Sequence, residues 1–131
     1  GEQWDKITAL CRQAVGTMLN FTLQHVGLPC GSADAAASTA RAICRLFGLE
    51  YRQGNTSDFA VPFVECCKAE LPGTHGHIAI GTPDVERAEF HLGLQGTEFL
   101  EHTRKVDDKG RTKAIYLNQT FAGFAVHLMR K

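Results

Sequence analysis

One order of elements, a strand, a helix and then three strands, runs through this chain twice. No other feature of the sequence limits its fold as strongly. The first pass covers about residues 20–72. There "NFTLQHVGLPC" reads as a strand, "ADAAASTARAICRLFG" as a helix, and "LEYRQGN", "SDFAV" and "PFVECCKAEL" as strands. The second pass covers about residues 73–131. There "HIAIG" reads as a strand, "TPDVERAEFHLGLQG" as a helix, and "TEFLEHTRKV", "RTKAIYLNQ" and "GFAVHLMRK" as strands, with "DDKG" as a hairpin turn. With 131 residues in all, the two halves are expected to share one core.

The ends of the two passes support the repeat. "FAVPFVEC" at 59–66 aligns without gaps to "FAGFAVHL" at 121–128, matching Phe59 to Phe121, Ala60 to Ala122, Val64 to Val126 and Glu65 to His127. "LQHVGLP" at 23–29 aligns to "HGHIAIG" at 75–81 and pairs His25 with His77. Residues 1–19 stand outside the repeat. In them Trp4, Ile7, Leu10, Cys11, Ala14 and Met18 recur at helical spacing, so an extra N-terminal helix is expected. Ser32 or Asp34 is expected to cap the first repeat helix and Gly48 to end it. Thr82 is expected to cap the second, with Pro83 in its first turn.

The repeat makes four polar residues stand out. Glu65 and His127 each sit at the centre of an apolar strand, in "FVECC" and "AVHLM". Burying an acid there costs several kcal/mol unless it is neutralised or hydrogen-bonded. His25 and His77 open the two halves. If the halves are related by a pseudo-twofold, all four side chains converge. Three imidazoles and one carboxylate are a fit donor set for a divalent first-row metal: Zn, Ni, Mn or Fe. Such an ion would offset the burial of Glu65 and use His127 as a neutral ligand. Taken singly, each histidine reads as a hydrogen-bonded core residue before it reads as a ligand; taken as a set, the four favour a metal site.

Weaker candidates lie elsewhere. His75 shares a strand face with His77, while His91 and His102 read as surface residues. Glu98 or Glu101 are candidate bases, and Arg104, Lys105, Arg111 or Lys113 candidate grips for an anion, but spacing selects none of them. Lys and Arg number 14 and Asp and Glu 14, which leaves no basic excess for nucleic acid. No apolar run is as long as a membrane span, and no phosphate-binding glycine loop or GxSxG occurs. The 5 cysteines form no CxxC pair, so reduced thiols and a cytoplasmic setting are expected. Cys66 and Cys67 should point to opposite faces of one strand. The chain opens on Gly1 in place of Met, and further sequence upstream is expected.

The strand-opening histidines ("QHVGL", "GHIAIGTPD") and the closing strands ("FVECC", "GFAVHLM") resemble the vicinal oxygen chelate superfamily, the glyoxalase, bleomycin-resistance and extradiol-dioxygenase group. The resemblance covers about residues 20–131. It implies an α+β fold in which two βαβββ modules form a cupped mixed sheet of eight strands with helices outside. It also implies a metal set of His25, Glu65, His77 and His127. His127 replaces the Glu usual at that position in glyoxalases, which argues against methylglyoxal chemistry.

A narrower resemblance, in "MLNFTLQHVGLPC", "YRQGNTSDFA" and "GTHGHIAIGTPDVERA", is to the glyoxalase-like extension of bacterial keto-hydroxyglutarate/keto-deoxy-phosphogluconate aldolases. "QWDKITALCRQAV" is similar to the closing helix of such an aldolase. The resemblance implies a small oxygenated acid as ligand, a 2-keto acid or sugar acid, with a homodimer and an upstream aldolase domain as partners. It leaves two functions open: a metal-dependent lyase or isomerase, and a non-catalytic regulatory or dimerisation module. A bleomycin-resistance type of sequestering protein is disfavoured by the four metal-competent residues.

Overall fold

A computed structural model describes residues 1–131. Helix α1 spans Glu2–Leu19 and is closed by Asn20, whose left-handed conformation turns its N–H back onto the Gly16 carbonyl. The first module follows as β1 (Thr22–Pro29), α2 (Ala33–Phe47), β2 (Glu50–Gln53), β3 (Ser57–Val61) and β4 (Val64–Cys67). The second is β5 (Gly76–Thr82), α3 (Val85–Leu94), β6 (Phe99–Val106), β7 (Thr112–Phe121) and β8 (Phe124–Arg130). No helix is long and apolar enough to cross a membrane.

Ser32 accepts from the Ala35 N–H and is the cap of α2. The cap of α3 is Asp84, which accepts from the Arg87 N–H, and not Thr82. Thr82 ends β5, and its hydroxyl donates to the Leu19 carbonyl at 2.7 Å. Two cap-forming residues flank Pro83, and the backbone remains extended through the first of them.

All eight strands form one mixed sheet in the order β2-β3-β4-β1-β5-β8-β7-β6. In each module the opening and closing strands pair parallel, β1 with β4 and β5 with β8. The modules join where β1 and β5 pair antiparallel about Val26 and Ile78. That pair marks a pseudo-twofold between two βαβββ units in a cupped sheet.

The helices cover one face of the sheet. Ala36 and Ala40 of α2 pack on Cys66, with Leu28, Tyr51 and Val64 around them. Leu19 at the end of α1 and Val85 and Ala88 of α3 pack on Ile115 and Leu128 of the sheet. Side chains alternate along strands, so the neighbours Glu65, Cys67, His77, Ala79 and His127 point to the other, open face. The rest of α1 packs on little. Trp4 is 71% exposed and Leu10 64%, so its apolar stripe is uncovered.

Candidate metal centre

Strand register alone assembles the site. One row across the open face runs Phe59, Glu65, Gly27, His77, Ala125 on β3, β4, β1, β5 and β8. The next row runs His25, Ala79, His127, Tyr116 on β1, β5, β8 and β7. In each row a small residue separates two polar ones. The pseudo-twofold exchanges the rows: Glu65 for His127, Gly27 for Ala79, His77 for His25. The small residues are what make room. A Cβ on Gly27 would collide with the His77 imidazole.

The result is a tight cluster. Glu65 Oε2 lies 2.9 Å from His25 Nε2 and 3.0 Å from His77 Nε2. The two Nε2 atoms are 3.2 Å apart. Ligating atoms of His25, His77 and His127 all lie within 4.8 Å of one another. The ring centroids of His127 are 5.5 Å from His25 and 5.2 Å from His77. The His127 Nδ1–H donates to the Leu128 carbonyl at 3.2 Å, which leaves the Nε2 lone pair free.

These distances suit a first-row ion. Ligands about 2.1 Å from a metal are about 3.0 Å apart along an octahedral edge and about 3.4 Å apart along a tetrahedral one. The triangle of His25, Glu65 and His77 has sides of that length. The electrostatics agree. Burial alone would raise the Glu65 carboxyl, but hydrogen bonds from His25 and His77 outweigh it and hold the group well below the usual range, as a carboxylate. Burial pushes the His127 imidazole down to about 4, and the neighbouring imidazoles of His77 and His25 act in the same direction. His127 is therefore neutral near pH 7, the form that ligates.

All four residues singled out in the sequence thus line one hollow: the ligating atoms of His25, His77 and His127 form one group, and Glu65 joins it through His25 and His77. His75 does not join them. It is exposed, and its Nδ1 donates to the Ala122 carbonyl at 2.9 Å. Of the candidate grips, Arg104 is held between Glu89 and Glu101, both at 2.6 Å, and Arg111 is held by Asp107 at 2.8 Å. Glu101, exposed and tied to Arg104, lines neither hollow beside the cluster.

Three residues at the site carry no signal in the sequence. The Tyr116 ring lies 4.9 Å from His127 and 5.9 Å from His77. Burial, with the Glu65 charge adding to it, raises its phenol and keeps it protonated. Cys67, two residues beyond Glu65 on the same face, lies within 4.8 Å of Glu65 and His77. Burial pushes its thiol up to about 11. Arg52 lines the approach to the cluster. Two hollows meet there: one of 340 Å³ beside Tyr116 and His127, and one of 420 Å³ beside His25 and Glu65. Glu65 is the one carboxylate lining either hollow, whereas Arg52, Arg104 and Lys105 all do so.

No family profile and no curated protein matches the chain. Solved structures do. A hypothetical protein from Bacillus halodurans C-125 superposes with a TM-score of 0.60 at 15% identity, over 85% of this chain and 94% of that one. Methylmalonyl-CoA epimerase in complex with methylmalonyl-CoA and ammonium superposes at 0.56 and 17% identity, over 83% and 93%. A variant of the Streptomyces coelicolor methylmalonyl-CoA epimerase, in complex with 2-nitronate-propionyl-CoA, gives 0.56 and 17%, over 83% and 96%. The chain therefore has the vicinal oxygen chelate fold. At these identities the likeness is one of fold, and it gives the aldolase resemblance no support.

Proposed function

We propose that this chain is a divalent-metal-binding domain that chelates a small oxygenated acid, a 2-keto acid or sugar acid. The observation that carries this reading is the triangle of His25 Nε2, Glu65 Oε2 and His77 Nε2, with sides of 2.9, 3.0 and 3.2 Å. His25, Glu65, His77 and His127 would hold the ion, and the donor set suits Zn, Ni, Mn or Fe. When bound, the ion supplies Lewis-acid stabilisation of negative charge on a chelated ligand.

The chain's own residues do the rest. The protonated Tyr116 hydroxyl is a hydrogen-bond donor beside the cluster. The hollows carry more cationic side chains than acids, which favours an anionic ligand. With Glu65 used as a ligand, no second carboxylate lines either hollow to serve as a base. The imidazole of His102, which lines the 340 Å³ hollow, is the candidate base for a lyase or isomerase, and a binding module needs none.

The partner we propose is an upstream keto-hydroxyglutarate/keto-deoxy-phosphogluconate aldolase domain, with the assembly a homodimer. This rests on the likeness of "QWDKITALCRQAV" to an aldolase closing helix, and the uncovered stripe of Trp4, Ile7 and Leu10 supports it.

Titration calorimetry tests the ligand. Pyruvate and keto-gluconate are titrated into metal-loaded and metal-free protein, with methylmalonyl-CoA as a third ligand. Heat from a keto acid in the metal-loaded protein alone supports the reading. Heat from methylmalonyl-CoA alone, or from none of the three, contradicts it.

A further inference from the structure

The row that carries Glu65 and His77 continues outward to Arg52. In register, Arg52 on β2 faces Phe59 on β3, which faces Glu65 on β4. All three lie on the open face, and all three line the 420 Å³ hollow together with His25. The Arg52 guanidinium carbon stands 4.9 Å from the centroid of the Phe59 ring. Stacking of this kind holds a guanidinium in place while its N–H fork remains free.

Arg52 also has no acid of its own. Arg87, Arg104, Arg111, Arg130 and Lys68 are each ion-paired, whereas no carboxylate lies within ion-pair distance of Arg52. Arg41 stacks on Tyr51, whose side chain points to the helix-covered face. An unpaired guanidinium, braced by an aromatic ring and opening on the same hollow as the cluster, is a seat for a carboxylate or phosphate.

We infer that Arg52 clamps a second anionic group on the ligand, so that the ligand is two-headed. One end carries the chelating oxygens and the other an anion. Neighbouring strands lie about 4.8 Å apart, so the anion sits roughly one to two strand spacings from the cluster. A linker of two to four carbons covers that distance. This inference rests on the reading of the cluster as a chelating metal site.

The probes are 2-oxoglutarate and 2-oxopentanoate. They share a five-carbon chain and a 2-keto acid head, and only the first carries a distal carboxylate. Affinity for each is measured by calorimetry on the metal-loaded protein, its Arg52→Met variant and a Lys109→Met charge control, a residue that lines neither hollow, with metal content measured for all three. The expected result is a preference for 2-oxoglutarate of about tenfold or more in the parent. Arg52→Met abolishes it while metal content and 2-oxopentanoate affinity hold, and Lys109→Met keeps it.

Equal affinity for the two probes in the parent overturns the clamp and leaves the chelating site standing. So does a preference that survives Arg52→Met or is lost equally in Lys109→Met. Binding of neither probe to metal-loaded parent protein overturns the clamp and the chelating site together.

Discussion

Gly27 lies directly across the β1–β5 ladder from His77, and the imidazole fills the space where a side chain at residue 27 would begin. Replacing this glycine with alanine sets two effects against each other. Restricting the unfolded chain stabilises by about 0.4–1 kcal/mol. Overpacking costs about 1–3 kcal/mol, because the His77 ring is 2% exposed and is hemmed in by Glu65, Tyr116 and His127. The second effect is larger. Gly27→Ala is expected to lower stability by about 1–2 kcal/mol in urea unfolding. It should also weaken divalent-metal binding by about tenfold or more, because His77 is pushed out of the triangle.

Tyr116 contributes a ring to the packing and a hydroxyl to the cavity. Tyr116→Phe keeps the ring beside His127 and removes only the donor. Metal content should be unchanged. Affinity for a chelated keto acid should fall by about tenfold, the worth of one hydrogen bond to a charged group. Calorimetry beside metal analysis separates the two effects. A loss of metal in this variant would show that the hydroxyl acts on the cluster and not on the ligand.

Away from the site, Asp58 makes stability depend on pH. It is 1% exposed, accepts from the Tyr51 hydroxyl at 3.0 Å and the Gly54 N–H at 3.3 Å, and pairs with Lys68 at 3.3 Å. Burial alone would raise its carboxyl, but these partners hold it below its ordinary value. At the surface, Glu86 is lowered to about 2, against the effect of burial, by the Thr112 N–H and Arg130. Both groups therefore bind a proton more readily unfolded than folded. Their stabilisation is complete above the unfolded carboxyl values near 4 and is lost as pH falls toward the folded ones. Urea midpoints are expected to be flat above about pH 7, to decline from there toward pH 4 because the buried His127 takes up a proton only when unfolded, and to fall more steeply between about pH 4 and pH 2 as Asp58 and Glu86 protonate. Asp58→Asn should flatten part of that fall.

Leu19 and the rest of α1 should behave differently on truncation. Leu19 is 3% exposed in the core under α3. Leu19→Ala is expected to cost about 2–4 kcal/mol. Removing residues 1–14, whose side chains are all exposed, should cost less than about 1 kcal/mol. Urea unfolding of the two variants makes the comparison. A large loss on truncation would mean that the stripe of Trp4, Ile7 and Leu10 is covered in solution.

How much of this was legible in the sequence depends on strand register. Element order, the repeat and the pairs His25 with His77 and Glu65 with His127 follow from apolar patterning, because polar residues inside apolar strands are conspicuous. Tyr116, Cys67 and Arg52 are ordinary residues for half-exposed strands. Tyr116 reaches the site only because β7 pairs with β8 so that it faces His127, with a register shift further along. Arg52 reaches it only because the short β2–β3 hairpin sets it opposite Phe59. Hairpin length and bulges fix such pairings, and local composition does not encode them. The α3 cap shows the same limit on a smaller scale. Thr82 and Asp84 both have capping chemistry, and the long-range hydrogen bond from Thr82 to Leu19 leaves the cap to Asp84.

The central claim is that His25, Glu65, His77 and His127 hold a divalent ion. Elemental analysis by mass spectrometry of protein purified without a histidine tag tests it most directly, beside a His25→Ala/His127→Ala double variant whose fold is checked by circular dichroism. About one equivalent of Zn, Ni, Mn or Fe per site is expected in the parent protein and none in the folded variant. No metal in the parent, even after reloading with each ion, would contradict it.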